Sequence, residues 1–233
     1  MKKYFFIIAV LVAYVQTNAQ KKDYILTLKT SKGEAHMVLY DETPLHKANF
    51  LKLVKEHYYD SLLFHRVIEK FMIQGGDPTS KNAKSGARLG SGGSNLEKIP
   101  FEFTPLRVHK KGALAAASNG NPEKMSNPVQ FYIVQGRKLA DEEVSVIEKT
   151  NNIKYTNKQR VDYVSIGGYP SLDNRYTVFG EVVDNFKLID DIAAVKKDEF
   201  NRPLEDVKMI ITAKKLRKKK ITRLYGFKYE KKK

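Results

Sequence analysis

The stretch FHRVIEKFMIQGGDP, residues 64–78, carries the densest structural signal in this chain of 233 residues. Its apolar, β-prone pieces at 67–68 and 71–73 predict two short strands around a tight connection at 69–70. The pair Gly75-Gly76 then ends the pattern, because the flexible backbone of glycine is easy to accommodate at such a break. The stretch therefore predicts a β-hairpin that stops at two glycines.

Two polar side chains of this hairpin, Arg66 and Gln74, are expected to converge beside an apolar floor made by Phe71 and Met72. A fixed positive charge, an amide and an apolar pocket together suit the binding of a peptide backbone with an apolar side chain. Apolar strand residues are most often simply core residues, so the residues alone leave open a core hairpin with a surface arginine.

Composition excludes several classes of chemistry. Hydrophobic residues make up 42% of the chain, enough for a real core, and the absence of cysteine excludes disulfides and thiolate chemistry. Neither a Gly-x-Ser-x-Gly motif nor a Gly-Lys-Ser/Thr motif occurs. The five histidines show no close pairing, so we expect no metal and no cofactor; they are His36, His46, His57, His65 and His109.

The first residues have the pattern of a targeting segment. Lys2-Lys3 precedes an apolar run at 4–15, and the small residues at 17–19 offer a cleavage site before Gln20. The run is shorter than the roughly 20 residues that span a bilayer. Residues 1–19 are therefore predicted to be a secretory signal peptide, with a retained anchor as the alternative, and the mature protein to be periplasmic or secreted.

The formal charge of +16 is concentrated at the carboxyl end, where residues 214–233 hold 11 Lys or Arg against one Glu. A disordered, solubilising tail is the favoured interpretation. The alternative is contact with an anionic surface, which aromatic residues among the lysines would support. No nucleic-acid partner is expected of an exported protein.

Regular elements can be placed along the first part of the chain. The segments 24–30 and 34–40 alternate in polarity and predict a hairpin. Thr43 supplies a capping hydroxyl and Pro44 suits the first helical position, so we expect a helix that ends near His57.

The remaining pattern is rich in strands. A glycine-rich surface loop is predicted at 78–100, a strand of small residues at 112–118 and another strand at 130–134. A helix is expected at 185–194 and a last strand at 207–213.

Residues 137–168 predict two helices, the second opened by a capping box at Thr156 and Gln159. This helical hairpin could be surface decoration, which is favoured, or a lid beside the site, or a partner surface.

The first stretch closely resembles the signature of the cyclophilin-type peptidyl-prolyl isomerases. Three further motifs resemble that family in the family's order: GALAAA at 112–117, QFYI at 130–133 and LDNRYTVFG at 172–180. The resemblance covers 24–136 and 170–213. It implies a mainly β fold, a closed antiparallel eight-stranded β-barrel capped by two helices, in which the helical hairpin at 137–168 is an insertion.

The resemblance also implies an activity and a site. The activity is peptidyl-prolyl cis-trans isomerisation during the folding of exported proteins, on proline-containing polypeptide clients, by a monomer. Arg66 is implied to be the catalytic residue. The implied substrate-binding residues are Phe71, Met72, Gln74, Ala117, Ser118, Gln130, Tyr132, Leu172 and Tyr176.

This sequence departs from the family pattern at several positions. Val129 and Tyr132 replace a Ser and a Phe of the family motif, Ala116 replaces a Met, and Ser171 and Tyr176 replace a Trp and a His. These departures keep open a second function, a peptide-binding chaperone or adaptor on the same scaffold with little turnover.

Overall fold

The stretch at 64–78 folds into the predicted hairpin, with β3 at Phe64–Ile68 and β4 at Met72–Gly75. The computed structural model describes residues 21–230, so the predicted signal peptide lies outside the described residues. Gly76 ends the hairpin with a φ of +90°, and a Cβ added there would stand 2.2 Å from the Val129 carbonyl oxygen. Glycine is therefore required both by the backbone conformation and by the close approach of the neighbouring chain.

Eight strands form one sheet in the order β3-β4-β6-β5-β7-β2-β1-β8, and all paired neighbours are antiparallel. The other strands are β1 (Lys22–Thr30), β2 (Gly33–Leu39), β5 (Ala113–Ala116), β6 (Phe131–Val134), β7 (Val178–Val182) and β8 (Met209–Arg217). The fold is thus mainly β. Backbone hydrogen bonds also connect the first and last strands of this order, β3 and β8, each to a residue just before the other. Phe64 N–H of β3 donates to Val207 O at 3.0 Å, and Met209 N–H of β8 donates to Leu62 O at 2.9 Å.

Five α-helices accompany the sheet within residues 21–230. They are α1 (Pro44–Lys55), α2 (Asp141–Asn151), α3 (Asn157–Ser165), α4 (Lys187–Ala193) and α5 (Lys218–Tyr225). In this described part of the chain, no helix is both long and apolar enough to cross a membrane.

The core lies on both sides of the sheet. Between the sheet and the helices α1 and α4, side chains such as Phe50, Phe131 and Ile192 form the larger cluster. A second cluster, which includes Met72 and Tyr132, covers the opposite face of the strands. The pocket described below belongs to this second cluster.

The amino end of α1 differs from the prediction. Pro44 takes the first helical position, but the Thr43 hydroxyl caps nothing and is buried without a hydrogen-bond partner among residues 21–230. Instead, the Glu102 carboxylate accepts hydrogen bonds from Leu45 N–H and His46 N–H, each at 2.9 Å. The cap thus comes from a residue distant in sequence, and the prediction of a Thr43 cap is wrong.

The predicted helices at 139–148 and 156–163 correspond to α2 and α3. The Thr156 hydroxyl and the Gln159 side chain form the predicted capping box. The two helices share a small core in which Val144 and Tyr163 pack on Val108 of the main body.

The carboxyl-terminal segment, residues 214–230, is folded, so its interpretation as a disordered tail is wrong. β8 continues to Arg217, beyond the expected end at 213, and pairs with β1 throughout. Ile221 of α5 is fully buried, and the ring of Phe227 stacks on Tyr40 with a centroid distance of 6.3 Å. These apolar contacts hold a segment that looks only basic in composition.

Two substitutions test the cap of α1. Replacing Glu102 with Gln sets an amide N–H against a backbone donor, so we expect the free energy of unfolding to fall by about 1–3 kcal/mol. Thr43→Val removes a buried hydroxyl that bonds to nothing and keeps its shape, so it should be neutral or slightly stabilising. Urea unfolding of both variants measures this, and a larger loss for Thr43→Val than for Glu102→Gln would contradict the assignment.

Candidate active site

Three polar side chains form a hydrogen-bonded row across neighbouring strands. Arg66 Nη1 donates to Gln74 Oε1 at 3.1 Å, and Gln74 Nε2 donates to Gln130 Oε1 at 3.0 Å. Gln130 Nε2 in turn donates to the carbonyl oxygens of Gly90 and Gly92, at 2.9 and 2.7 Å. Arg66 and Gln74 are directly paired in the β3–β4 register, so the hairpin itself brings them together.

Nine of the ten sequence-predicted site residues line one pocket of about 160 Å³. They are Arg66, Phe71, Met72, Gln74, Ala117, Ser118, Tyr132, Leu172 and Tyr176. The tenth, Gln130, lines an adjacent cavity of about 270 Å³ whose wall includes Gln74, Ala117 and Ser118. The ten residues thus line two adjacent cavities that share Gln74, Ala117 and Ser118.

The glycine-rich loop at 78–100 is held to this site by Asp77. Its carboxylate accepts hydrogen bonds from the Thr79 N–H and hydroxyl, at 2.7 and 2.6 Å, and from the N–H groups of Gly90 and Gly92. Burial alone would raise the pKa of Asp77, but these hydrogen bonds lower it below its ordinary value. The ionised carboxylate therefore fixes the loop carbonyls that meet Gln130.

Arg66 is the fixed positive charge of the pocket. Burial lowers the pKa of its guanidinium, opposed by Tyr176, but from so high a starting value that Arg66 stays charged at neutral pH. Its neighbour His65 is buried, and this burial, opposed by Asp77, lowers the pKa of His65 to about 4. His65 is therefore neutral at pH 7 and adds no second charge beside Arg66.

The aromatic wall contains a feature that sequence reasoning missed. The ring of Tyr132 meets Tyr176 edge to face at 6.1 Å, while its hydroxyl lies 2.9 Å from His109 Nε2. His109 Nδ1 lies 2.7 Å from Asp173 Oδ1, and both His109 and Asp173 are buried. Asp173 lies next to Leu172 in a motif that the resemblance matched, but nothing in the sequence linked it to His109.

The arrangement offers a fixed cation, a hydrogen-bonding amide and apolar walls. Within residues 21–230, no group of three or more His, Cys, Asp or Glu side chains could hold a metal ion. Such a site can seat an apolar side chain and place a charge-assisted donor beside the neighbouring backbone.

Comparisons with known proteins identify the family. The family model described as "Cyclophilin type peptidyl-prolyl cis-trans isomerase/CLD" matches residues 25–214. A crystal structure of a cyclophilin-type peptidyl-prolyl cis-trans isomerase from Cryptosporidium parvum superimposes with a TM-score of 0.59 at 22% identity, covering 83% of this chain and 98% of that one. This likeness shows that the fold is cyclophilin-like.

Bacterial relatives with similar sequences carry names that point to the same family. Proteins named "Putative peptidyl-prolyl cis-trans isomerase" from Staphylococcus saprophyticus and Staphylococcus aureus (strain COL) are 33% and 34% identical to this chain. Each alignment covers 83% of this chain, and respectively 92% and 94% of the relative. A Streptococcus pyogenes protein named "Putative bifunctional phosphatase/peptidyl-prolyl cis-trans isomerase" is 38% identical to this chain. The alignment covers only 37% of that longer protein.

The chain belongs to the cyclophilin-type peptidyl-prolyl cis-trans isomerases. It is an enzyme that catalyses the cis-trans isomerisation of the bond before proline.

Proposed function

We propose that Arg66 is the catalytic residue and acts by stabilising a twisted prolyl amide. The planar X-Pro bond resists rotation with a barrier of about 18–20 kcal/mol because its C–N bond is partly double. In the twisted state the proline nitrogen recovers its lone pair and can accept a hydrogen bond. A cationic donor beside that nitrogen stabilises the twisted state more than the planar one, which lowers the barrier.

The remaining site residues bind and orient the substrate. Phe71, Met72, Tyr132 and Leu172 form the proline pocket, and Tyr176 covers it. Gln74 binds a substrate carbonyl while it also receives the hydrogen bond from Arg66.

The substrate's preceding residues run along the backbone of Ala117 and Ser118, where small side chains let another chain approach. Gln130 supports this arrangement from behind, through Gln74 and the loop carbonyls.

Proline-containing polypeptides are the substrates that this site fits. The Cryptosporidium parvum protein was also crystallised in the presence of the dipeptide Ala-Pro. The observation that carries the proposal is that Arg66 and the apolar pocket share one small cavity. Peptide binding with little turnover is the alternative, and it requires no role for the Arg66 charge in the chemical step.

Replacing Arg66 tests the mechanism. We expect Arg66→Ala to lower kcat/KM by about 10²- to 10³-fold, the loss typical of one transition-state donor, with little change in stability. Arg66→Lys keeps the charge but loses the planar fork, so it should retain intermediate activity. The assay is the isomerisation of an Ala-Pro-Phe peptide followed by NMR.

The matched control is Arg175→Ala, an exposed arginine next to Tyr176 that does not line the pocket. This variant should keep wild-type activity. Full activity in a folded Arg66→Ala protein would rule out Arg66 as the catalytic residue and leave the binding protein as the better description.

We also propose the finer architecture that the family implies. The hydrogen bonds of Phe64 with Val207 and of Met209 with Leu62 support closure of the sheet into a barrel. Residues 137–168 are proposed to be an insertion in that barrel, supported by the separate small core of α2 and α3.

Export is proposed from the amino-terminal pattern. The charged pair, apolar run and small residues at 1–19 support cleavage after Ala19, which would release the enzyme to act on exported clients in the periplasm or outside the cell. Expression of the 233-residue chain in a bacterial host should give a processed chain that begins at Gln20. Intact-mass measurement checks this, and an unprocessed chain that stays with the cytosolic fraction would contradict export.

The carboxyl-terminal segment is proposed to contact anionic surfaces. Lys219, Lys220 and Arg223 of α5 are exposed, and Leu224 beside them is 53% exposed. Exposed cations around an apolar side chain suit the headgroup region of an anionic membrane.

Charge removal on α5 tests this surface. The triple change of Lys219, Lys220 and Arg223 to Gln should weaken binding to phosphatidylglycerol-containing vesicles about 100-fold, at about 1 kcal/mol per cation. A control triple at the exposed Lys52, Lys149 and Lys154 removes the same charge elsewhere and should matter much less. Equal effects of the two triples in vesicle sedimentation would contradict a specific surface.

A further inference from the structure

A buried hydrogen-bond network joins the helices α2 and α3 to the wall of the pocket. Asp173 Oδ2 accepts hydrogen bonds from the hydroxyls of Tyr155, in the turn between α2 and α3, and Tyr163, in α3, at 2.7 and 2.5 Å. Asp173 Oδ1 accepts from His109 N–H at 2.8 Å and meets His109 Nδ1 at 2.7 Å. His109 Nε2 then meets the Tyr132 hydroxyl at 2.9 Å.

The proton positions in this network follow from its acceptors. A carboxylate can only accept, so His109 Nδ1 carries the proton that it shares with Asp173. The contact between His109 Nε2 and the Tyr132 hydroxyl is a hydrogen bond in either protonation state of the ring, with Nε2 accepting when the ring is neutral and donating when it is charged. Burial and the charge of Asp173 raise the pKa of Tyr155 and of Tyr163, so both hydroxyls stay protonated donors.

The network has little room to rearrange. Its five side chains are buried: Tyr132, His109, Asp173, Tyr155 and Tyr163. Each carboxylate oxygen of Asp173 accepts two hydrogen bonds. The loss of one donor therefore leaves a buried charge with fewer hydrogen bonds. The rings of His109 and Tyr132 are nearly parallel, with a centroid distance of 6.0 Å and an interplanar angle of 13°. The Tyr132 ring is therefore held at its hydroxyl by His109, and it also packs edge to face with Tyr176.

We propose that Tyr155 and Tyr163 are positioning residues of the proline pocket, acting through Asp173 and His109 on Tyr132. The helices α2 and α3 thereby determine the shape of the pocket without touching the substrate. This inference rests on the proposed role of Tyr132 as a wall of the proline pocket. It replaces the favoured interpretation of the two helices as decoration.

A double-mutant cycle between Tyr163→Phe and Tyr132→Phe tests the coupling. Each single change removes only a hydroxyl, and each should raise KM for the Ala-Pro-Phe peptide, lowering kcat/KM about two- to tenfold as for one lost hydrogen bond. Because both changes break the same chain of contacts, the double variant should be little worse than the poorer single variant. The proposal would be overturned if the fold losses of kcat/KM in the two single variants multiplied in the double variant. It would also be overturned if Tyr163→Phe kept the wild-type KM.

Glu143→Ala is the control for mere stability of the helices. The Glu143 carboxylate accepts a hydrogen bond from Ala140 N–H at 2.9 Å, at the start of α2, and pairs with Arg137 at 2.6 Å, and neither partner belongs to the network. This variant should lower the melting temperature of the protein but leave KM unchanged. A rise in KM equal to that of Tyr163→Phe would show that helix stability alone explains the effect, which would overturn the positioning role.

A readout without turnover separates this inference from the proposed function. Tyr163→Phe should shift the His109 ring nitrogens in ¹⁵N NMR and the Tyr132 ring signals in ¹³C NMR, while Glu143→Ala should shift neither. Unchanged signals in Tyr163→Phe would overturn the inference even in an active enzyme. If the wild-type protein were inactive, the proposed function would fail, whereas these shifts would still establish the coupling.

Discussion

The hydrogen-bonded row of Arg66, Gln74 and Gln130 is the interaction on which the site depends. It crosses β3 and β4 to the start of β6 and ends on the carbonyl oxygens of Gly90 and Gly92. A free arginine side chain has many rotamers, and fixing it costs conformational entropy when substrate binds. Here the hydrogen bond to Gln74 orients the guanidinium before any substrate arrives, and we propose that this preorganisation serves electrostatic catalysis.

The pocket lies between two polar networks with different tasks. The row on one side orients a cation, and its far end is fixed by the ionised Asp77. The network on the other side, from Tyr132 to Asp173, orients an aromatic wall. An isomerase forms no covalent intermediate and moves no proton, so its catalytic power depends on the shape and charge of such a pocket. We propose that both networks serve that requirement.

The local parts of this account could be predicted from the sequence. The hairpin at 64–78 follows from strand propensity and a glycine break, and the resemblance named all ten side chains that the fold brings together. The cap of α1 could not be predicted, because Glu102 lies 57 residues from Leu45, whose N–H it accepts. Thr43 has the right chemistry for a cap but points into the core, where its hydroxyl bonds to nothing in the described chain.

Two further features were hidden for related reasons. The basic composition of residues 214–230 masked Ile221 and Phe227, whose burial depends on β1 and β2 far away in sequence. The link between His109 and Asp173 spans 64 residues and has no local pattern. In each case the partner is supplied by tertiary packing, which single-sequence periodicity does not report.

The most direct test of the central claim is exchange NMR on an Ala-Pro-Phe peptide with a catalytic amount of the wild-type protein, residues 20–233. The account predicts that cis and trans signals exchange much faster than in free peptide, where isomerisation takes tens of seconds or more. It also predicts contacts between the bound proline ring and the rings of Phe71 and Tyr132. Unchanged exchange with a folded protein that still binds the peptide would contradict the account.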